Sequence, residues 1–223
     1  KSKSLSTYIK DSEFKAYLGL LLSVVIVSGL ALMTSSSESF GEVSFSQMFF
    51  QVVSIGTTTG YTSSGYRMWP VFIPFLLLLL SFVGGSVGST GGGLKVARCL
   101  ILFKQGLREA KRLIHPSAEI VVKINQKGVD QRILDSVWGF MSAYIGILVV
   151  FTLIMLACGL NELTAFSAVA ASLNNLGPGL GDVFVNYADL GSLPKWVCIS
   201  AMVLGRLEIF ALLVLFTPAF WQD

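Results

Sequence analysis

Hydrophobic and polar positions fall into long blocks along the chain, and the apolar blocks come in two lengths. The run from Ala16 to Met33 is long enough, at 1.5 Å per residue, to cross roughly 30 Å of hydrocarbon. The run from Phe45 to Ile55 has only about eleven residues, which is too short to cross and suits a re-entrant half-helix. The pattern therefore predicts a full membrane span followed by a half-helix.

The second half of the chain repeats this arrangement. Gly60 and Gly177 occupy the same place in the two units, about 117 residues apart, so the second unit is predicted to duplicate the first. The remaining apolar runs predict a second span at Val71 to about Phe103, a third at Asp135 to Cys158, a half-helix at Leu163 to Leu173 and a fourth span at Val197 to Phe216.

The composition supports a membrane protein. The 223 residues are 53% hydrophobic and only 13% charged, with a mean hydropathy of +0.72, whereas about a quarter of a soluble domain is charged. Unbroken apolar runs favour helices over a barrel. We therefore predict an all-α membrane protein with two tandem units, each a span, a pore half-helix, a filter loop and a second span.

The net charge of +3 gives no support to nucleic-acid binding.

The positions of Lys and Arg predict the orientation. Basic residues concentrate before residue 15 and between residues 104 and 134, and cytoplasmic segments carry this excess. Residues 1–14, the 104–134 loop and the C-terminus are therefore predicted to be cytoplasmic, with both glycine loops entered from outside. The 104–134 loop either only fixes this orientation or also docks a regulator. The predicted divisions are 1–14, 15–103, 104–134 and 135–223, the second and fourth being pore repeats.

The segment Thr57 to Tyr61 follows the first half-helix and has the chemistry of a cation filter. Irregular backbone at membrane depth is tolerated only where it is buried or lines a watery path. Carbonyls turned inward replace an ion's water shell, and they require φ values that glycine reaches easily. The hydroxyls add oxygens, and the helix C-terminus adds partial negative charge. The alternative is a plain extracellular turn, an interpretation that fits Asn174 to Gly179 more easily.

A glycine-rich stretch and a membrane arginine are the candidate gate. Residues 84–93 contain six glycines and three hydroxyls, which would unwind a helix below the filter; close helix packing is the alternative. Arg206 lies in the predicted fourth span and should face a polar interior, unless it only snorkels or pairs structurally. The candidate gate residues are Gly84, Gly85, Ser86, Gly88, Ser89, Thr90, Gly91, Gly92, Gly93 and Arg206.

Taken together, these motifs resemble a known family. Thr57 to Tyr61 resembles the Thr-Val-Gly-Tyr-Gly filter of potassium channels with one glycine, and the doubled layout resembles the Trk/Ktr/HKT superfamily of potassium transporters, most of all the membrane subunit of bacterial Trk systems. The resemblance implies four repeats around one pore, of which this chain carries the third and fourth. It implies a filter of Thr57, Thr58, Thr59, Gly60, Tyr61, Asn174, Asn175, Leu176, Gly177 and Pro178, with K⁺ on the carbonyls of Thr58, Thr59, Asn175 and Leu176.

The resemblance also implies a function and partners. The expected function is uptake of potassium, with some sodium, across the bacterial inner membrane, with residues 84–93 as an intramembrane gating loop. The expected partners are the bilayer, the two preceding repeats of a longer polypeptide, a second copy in a homodimer and a cytosolic nucleotide-binding ring of the TrkA kind. We expect no organic cofactor. An H⁺- or Na⁺-coupled symporter and a non-conducting scaffold or receptor are the alternatives.

An enzyme is not expected. The sequence places no paired carboxylates, Ser/His/Asp set or metal-ligand cluster at membrane depth, and His115 is the only histidine. The chain starts without an initiator Met, so a fragment of a longer protein is expected.

Overall fold

A computed structural model describes most of the chain, and it is built from helices. The described residues are 11–34, 45–63, 65–89, 91–116, 118, 120–125, 127–207 and 221. The helices are α1 (Ser12–Thr34), α2 (Phe45–Gly56), α3 (Phe72–Val83), α4 (Val96–Ile114), α5 (Gln131–Ala157), α6 (Glu162–Leu173) and α7 (Ser192–Arg206); a short hairpin pairs β1 (Lys123–Ile124) with β2 (Lys127–Gly128).

Helices α1 and α5 have the length and composition of membrane spans. They are the two helices in the described part of the chain that are long and apolar enough to cross a bilayer. Large aliphatic side chains such as Ile26 and Leu153 are about 60% exposed on their outer faces, where lipid rather than water would solvate them. The predicted first and third spans are thus confirmed as helices.

Helices α2 and α6 match the two predicted half-helices. Each has 12 residues and therefore extends about 18 Å, too short to cross a bilayer. The Asn161 side chain caps α6 by accepting a hydrogen bond from the Thr164 amide at 2.7 Å. Helix α6 is enclosed by α5 and α7, and its central residues are buried on every side.

The second apolar run is interrupted where the glycines predict. Helix α3 ends at Val83, α4 begins at Val96, and the described residues between them are non-helical. Left-handed φ angles occur here at Gly84 (66°), Gly88 (85°) and Gly93 (81°), a region in which glycine has no side-chain clash.

The basic stretch after residue 103 differs in structure from the predicted loop. Helix α4 continues to Ile114, because residues 104–112 other than Gly106 are strong helix formers and Glu109 pairs with Arg112 one turn later. The hairpin follows, and Asn125 at its turn hydrogen-bonds to Asp11 and to the Ser12 amide. The start of α1 therefore lies beside this hairpin.

The fourth predicted span is described in part. Helix α7 begins at Ser192, five residues before the expected Val197, with Pro194 in its first turn, where a proline is tolerated. Residues 208–216 of the expected span lie outside the described residues, as do Glu208 and Thr90.

The two units meet through α3 and α6. Helix α2 packs between α1 and α3, and α3 contacts α6 of the other unit. One buried cluster joins Val52 of α2 and Leu77 of α3 to Ala170 of α6 and to Leu176 beyond it. This shared core brings together the C-terminal ends of the two half-helices.

Candidate cation pathway

The first loop, residues 57–61, leaves α2 in a specific turn. The Thr57 amide donates to the Val53 carbonyl at 2.9 Å, and the Thr59 amide reaches back five residues to the Ser54 carbonyl at 2.8 Å. The backbone then turns through left-handed φ angles at Thr58 (55°) and Gly60 (78°). A left-handed threonine is uncommon, so the surrounding contacts must hold it.

The second loop, residues 174–178, makes the same turn after α6. The Asn174 amide donates to Ala170 at 2.9 Å, and the Leu176 amide reaches back five residues to Ala171 at 2.8 Å. Left-handed φ angles follow at Asn175 (52°) and Gly177 (99°). Each bond and angle has its counterpart about 117 residues earlier. Two different sequences, Thr-Thr-Thr-Gly and Asn-Asn-Leu-Gly, thus form one backbone geometry.

The two loops lie directly against each other. A β-carbon on Gly60 would overlap the carbonyl oxygen of Leu176 and lie 3.3 Å from the Pro178 ring. Only glycine allows this approach, since Gly60 combines positive φ with contact on the neighbouring backbone. A cavity of about 440 Å³ opens beside them, lined in part by Gly60 and Gly177.

Side chains behind the first loop hold its backbone. The Ser54 hydroxyl donates to the Tyr61 carbonyl at 2.7 Å, and the Tyr17 hydroxyl of α1 donates to the Gly56 carbonyl at 3.0 Å. The Thr57 and Thr59 hydroxyls hydrogen-bond to each other at 2.7 Å. The Tyr61 ring is exposed. The resemblance to the filter motif had given no expectation for the contacts of this ring.

The second loop is held by a different set of side chains. Asn174 is fully buried; its side-chain oxygen accepts from the Tyr144 hydroxyl of α5, and its amide donates to the Ser81 hydroxyl of α3 at 2.9 Å. The Tyr187 hydroxyl donates to the Gly177 carbonyl at 2.9 Å. Burial raises the pKa of Tyr187 above its ordinary value, so this hydroxyl stays protonated and remains a donor.

No sequence motif identifies these supporting tyrosines. Tyr144 lies inside an apolar run with no motif around it, and Tyr17 and Tyr187 are equally isolated. A tyrosine in an apolar run needs a partner for its hydroxyl when buried, and this was the one available signal. Asn174, expected in the filter, directs its side chain into the protein, so only its backbone remains for an ion.

The glycine segment, residues 84–93, lies against both loops. A β-carbon on Gly91 would come within 2.7 Å of the Thr58 hydroxyl, and one on Gly92 would overlap the Asn174 carbonyl. The segment is tied by Lys95, whose ammonium donates to the Gly91 carbonyl at 2.5 Å and the Ser89 carbonyl at 2.9 Å. The predicted gate residues are therefore in contact with the predicted filter.

Arg206 and the glycine segment line the same cavity. This cavity measures about 270 Å³, and its cationic lining residues are Lys95, Arg98 and Arg206. The Arg98 guanidinium lies over the Phe140 ring, 4.2 Å from its centre, a favourable cation–π contact. Arg206 is the last residue of α7. The two parts of the candidate gate, Arg206 and the glycine segment, therefore border one cavity.

The chemistry of this region favours weak coordination of a cation by neutral oxygens. Among the described residues no group of three or more His, Cys, Asp or Glu side chains could hold a metal ion. The C-terminal ends of α2 and α6 converge on the two loops, and each directs roughly half a negative charge toward them. Carbonyl and hydroxyl oxygens of the loops are then the available ligands.

Comparisons with known proteins give a consistent result. A family model described as TrkH, cation transport protein, matches residues 7–223. The chain is 48% identical over 221 residues to the Trk system potassium uptake protein TrkH of Salmonella typhimurium, covering 99% of this chain and 46% of that protein. It is 37% identical to the Trk system potassium uptake protein TrkG of Escherichia coli, covering 99% of this chain and 45% of the relative.

A solved structure is also similar. The crystal structure of the potassium transporter TrkH from Vibrio parahaemolyticus superposes with a TM-score of 0.87 at 50% identity, covering 96% of this chain and 46% of that one. The chain therefore spans less than half the length of the relatives it matches.

Proposed function

Because this chain belongs to the TrkH family of cation transport proteins, we propose that it forms part of a potassium-conducting pore. The transported ion is K⁺, with some Na⁺, and it is a substrate that crosses the membrane unchanged. The relatives are named as Trk system potassium uptake proteins, which supports potassium as the ion. The membrane is the bacterial inner membrane, and both loops are entered from outside.

The observation that carries the proposal is the repeated turn. Thr58 and Gly60 in one loop, and Asn175 and Gly177 in the other, share left-handed backbone angles and equivalent hydrogen bonds. A backbone geometry kept in two loops of different sequence suggests selection on the carbonyls rather than on the side chains. Carbonyls of Thr58, Thr59, Asn175 and Leu176 are the proposed ligands.

Selectivity is proposed to be modest. One glycine per loop and a second loop without hydroxyls offer fewer ordered oxygen sites than four identical potassium-channel filters would. Two loops also line only part of a ring. The preceding two repeats of a full-length polypeptide are proposed to supply the rest, and the pore would then work as a homodimer with a cytosolic nucleotide-binding ring.

Control of flow is proposed to lie directly below the loops. The glycine segment contacts Thr58 and Asn174 and has few side chains to resist a change of shape. Arg206 lines the cavity beside it, where a positive charge repels a cation and attracts backbone carbonyls. Movement of the segment away from the loops would open the path.

The path is proposed to be gated rather than coupled to a second ion. Proton coupling normally needs a titratable side chain in the path, and the two loops, residues 57–61 and 174–178, contain no carboxylate, histidine or lysine. The test is K⁺ flux into sealed vesicles that contain the full-length polypeptide and no proton or sodium gradient. Flux down the K⁺ gradient alone supports the proposal, and flux only when a second gradient is present would replace it with a symporter.

A further inference from the structure

A basic groove lies along α4 between residues 104 and 111. It has a volume of about 180 Å³ and runs between α4 and the stretch that leads into the hairpin. Four cationic side chains and four apolar residues line it. We name it the basic groove; its residues are Lys104, Leu107, Arg108, Lys111, Ile120, Val121, Val122 and Lys123.

The groove is built around contacts that fix its walls. The Lys104 ammonium donates to the Lys123 carbonyl at 2.7 Å, which ties α4 to the hairpin. The Arg108 side chain is only 12% exposed and pairs with Glu109 at 3.0 Å. Among the described residues, four cations line the groove and one carboxylate, Glu109, pairs with them, so their summed charge is positive. A positive groove favours an anionic occupant.

The groove lies at the level where helices enter the apolar layer. Behind it, Ile101 of α4 and Val122 form one buried cluster with Leu134 and Val137 of α5. These two α5 residues are in the first turns of a membrane span, and the adjacent Trp138 is half exposed. An exposed tryptophan at the end of a span is typical of the membrane–water interface.

An apolar stripe runs along α4 beside the cations. At about 100° per residue, Phe103, Leu107 and Ile114 lie within roughly 40° of one another on the helix surface. Phe103 is 67% exposed, and the other two are also exposed. Lys104 and Lys111 lie next to this stripe, roughly 80–100° from Phe103. The surface therefore offers a positive pocket and an apolar strip side by side.

We propose that the basic groove binds the headgroup of an anionic phospholipid, whose acyl chain lies along Phe103 and Leu107. Basic pockets at the cytoplasmic face of membrane helices suit such headgroups. An acidic protein segment would match the charge but would leave the apolar stripe without a use. The inference rests on the proposed placement in the membrane, but not on ion conduction.

Helix α4 connects the basic groove to the glycine segment. The helix begins at Val96, separated from the end of that segment by two residues, and Lys104 lies about two turns further on. A lipid held against Lys104 and Lys111 would fix the helix that continues from the proposed gate.

The test counts phosphatidylglycerol and phosphatidylcholine bound to the full-length polypeptide by native mass spectrometry. The groove variant is Lys104→Gln, Lys111→Gln, Lys123→Gln, and the matched control is Lys15→Gln, Lys127→Gln, Arg132→Gln, which removes three exposed cations outside the groove. Each cation near an anionic surface contributes about fivefold in affinity. The groove variant should lose phosphatidylglycerol affinity on the order of 100-fold, and the control should keep it.

Several outcomes would overturn the proposal. Equal losses in both triple variants would mean a general surface attraction, and no loss in either would mean that the groove does not bind this lipid. Because Lys104 also joins α4 to the hairpin, the single change Lys111→Glu is measured too, and wild-type affinity there would contradict the site.

The apolar stripe separates a lipid from other anions. Leu107→Ser keeps all four cations, so it should weaken binding of phosphatidylglycerol but not of inorganic phosphate. Unchanged lipid affinity would leave a phosphate site without an acyl contact. Tighter binding of a polyglutamate peptide than of phosphatidylglycerol, lost in the groove variant, would make the groove a protein-docking site instead. Wild-type K⁺ flux is not required for any of these results.

Discussion

The side-chain amide of Asn174 donates to the hydroxyl of Ser81 across 2.9 Å, and this bond joins the second loop to the end of the helix from which the glycine segment departs. The Tyr144 hydroxyl completes the arrangement from α5. All three side chains are buried. A buried polar group that loses its partner is costly, so this network fixes the second loop relative to the proposed gate.

Tyr144→Phe and Ser81→Ala should each destabilise the protein. Either change leaves one side-chain atom of Asn174 buried without its partner, at about 1–3 kcal/mol. Thermal unfolding in detergent measures the loss, and the double variant tests whether both act through Asn174. A combined effect clearly different from the sum indicates one network. Strict additivity would mean that the two bonds act separately. Ser142→Ala, which removes an exposed hydroxyl of α5, is the control.

Gly92→Ala should raise the open probability of the pore. The new methyl group would overlap the Asn174 carbonyl, and the buried network holds Asn174 in place. The glycine segment must therefore move away from the loop. Single-channel recording measures the change. Gly88→Ala is the control, since its β-carbon meets nothing within 4 Å and it bears only the strain of a φ of 85°, about 1–2 kcal/mol. Equal behaviour of the two variants would argue against steric contact as the mechanism.

Arg206→Ala, or deletion of part of residues 84–93, should also increase open probability. Removing the charge lowers the barrier to a cation in the cavity that Arg206 shares with the glycine segment. Arg206→Lys keeps the charge and should stay closer to wild type. Recordings in which neither Arg206→Ala nor the deletion opens more often would contradict a gate at this position.

The first and third spans and the two short helices between spans could be predicted because hydrophobic length controls them. A run such as Phe45 to Ile55 is too short for a span, and α2 ends one residue beyond the prediction, at Gly56. The break in the helix at residues 84–93 was also predictable from local sequence. Glycines such as Gly84 and Gly93 lower helix stability more than any other residue except proline. The helical structure of residues 104–114 could not be predicted, because charge patterning alone does not distinguish a solvated helix from a loop.

The supporting contacts of the two loops depend on tertiary structure and could not be predicted. Nothing near Tyr144 in the sequence indicates that its hydroxyl meets Asn174, 30 residues away, or that Ser81 approaches from 93 residues away. The common turn at Thr58 and Asn175 was equally hidden, since neither residue favours positive φ as glycine does. The repeat spacing aligned Gly60 with Gly177. Only the backbone angles show that the two loops share the same left-handed turn.

The central claim is that backbone carbonyls of the two loops select the ion, and Gly60→Ser tests it most directly. The serine β-carbon would overlap the Leu176 carbonyl at a φ of 78°, so this proposed oxygen ligand would shift. Gly146→Ser on α5, where nothing lies within 4 Å, is the control. The measurement is the K⁺/Na⁺ permeability ratio of the full-length polypeptide from reversal potentials. We predict a changed ratio for Gly60→Ser and a wild-type ratio for Gly146→Ser; a wild-type ratio for Gly60→Ser would contradict the filter.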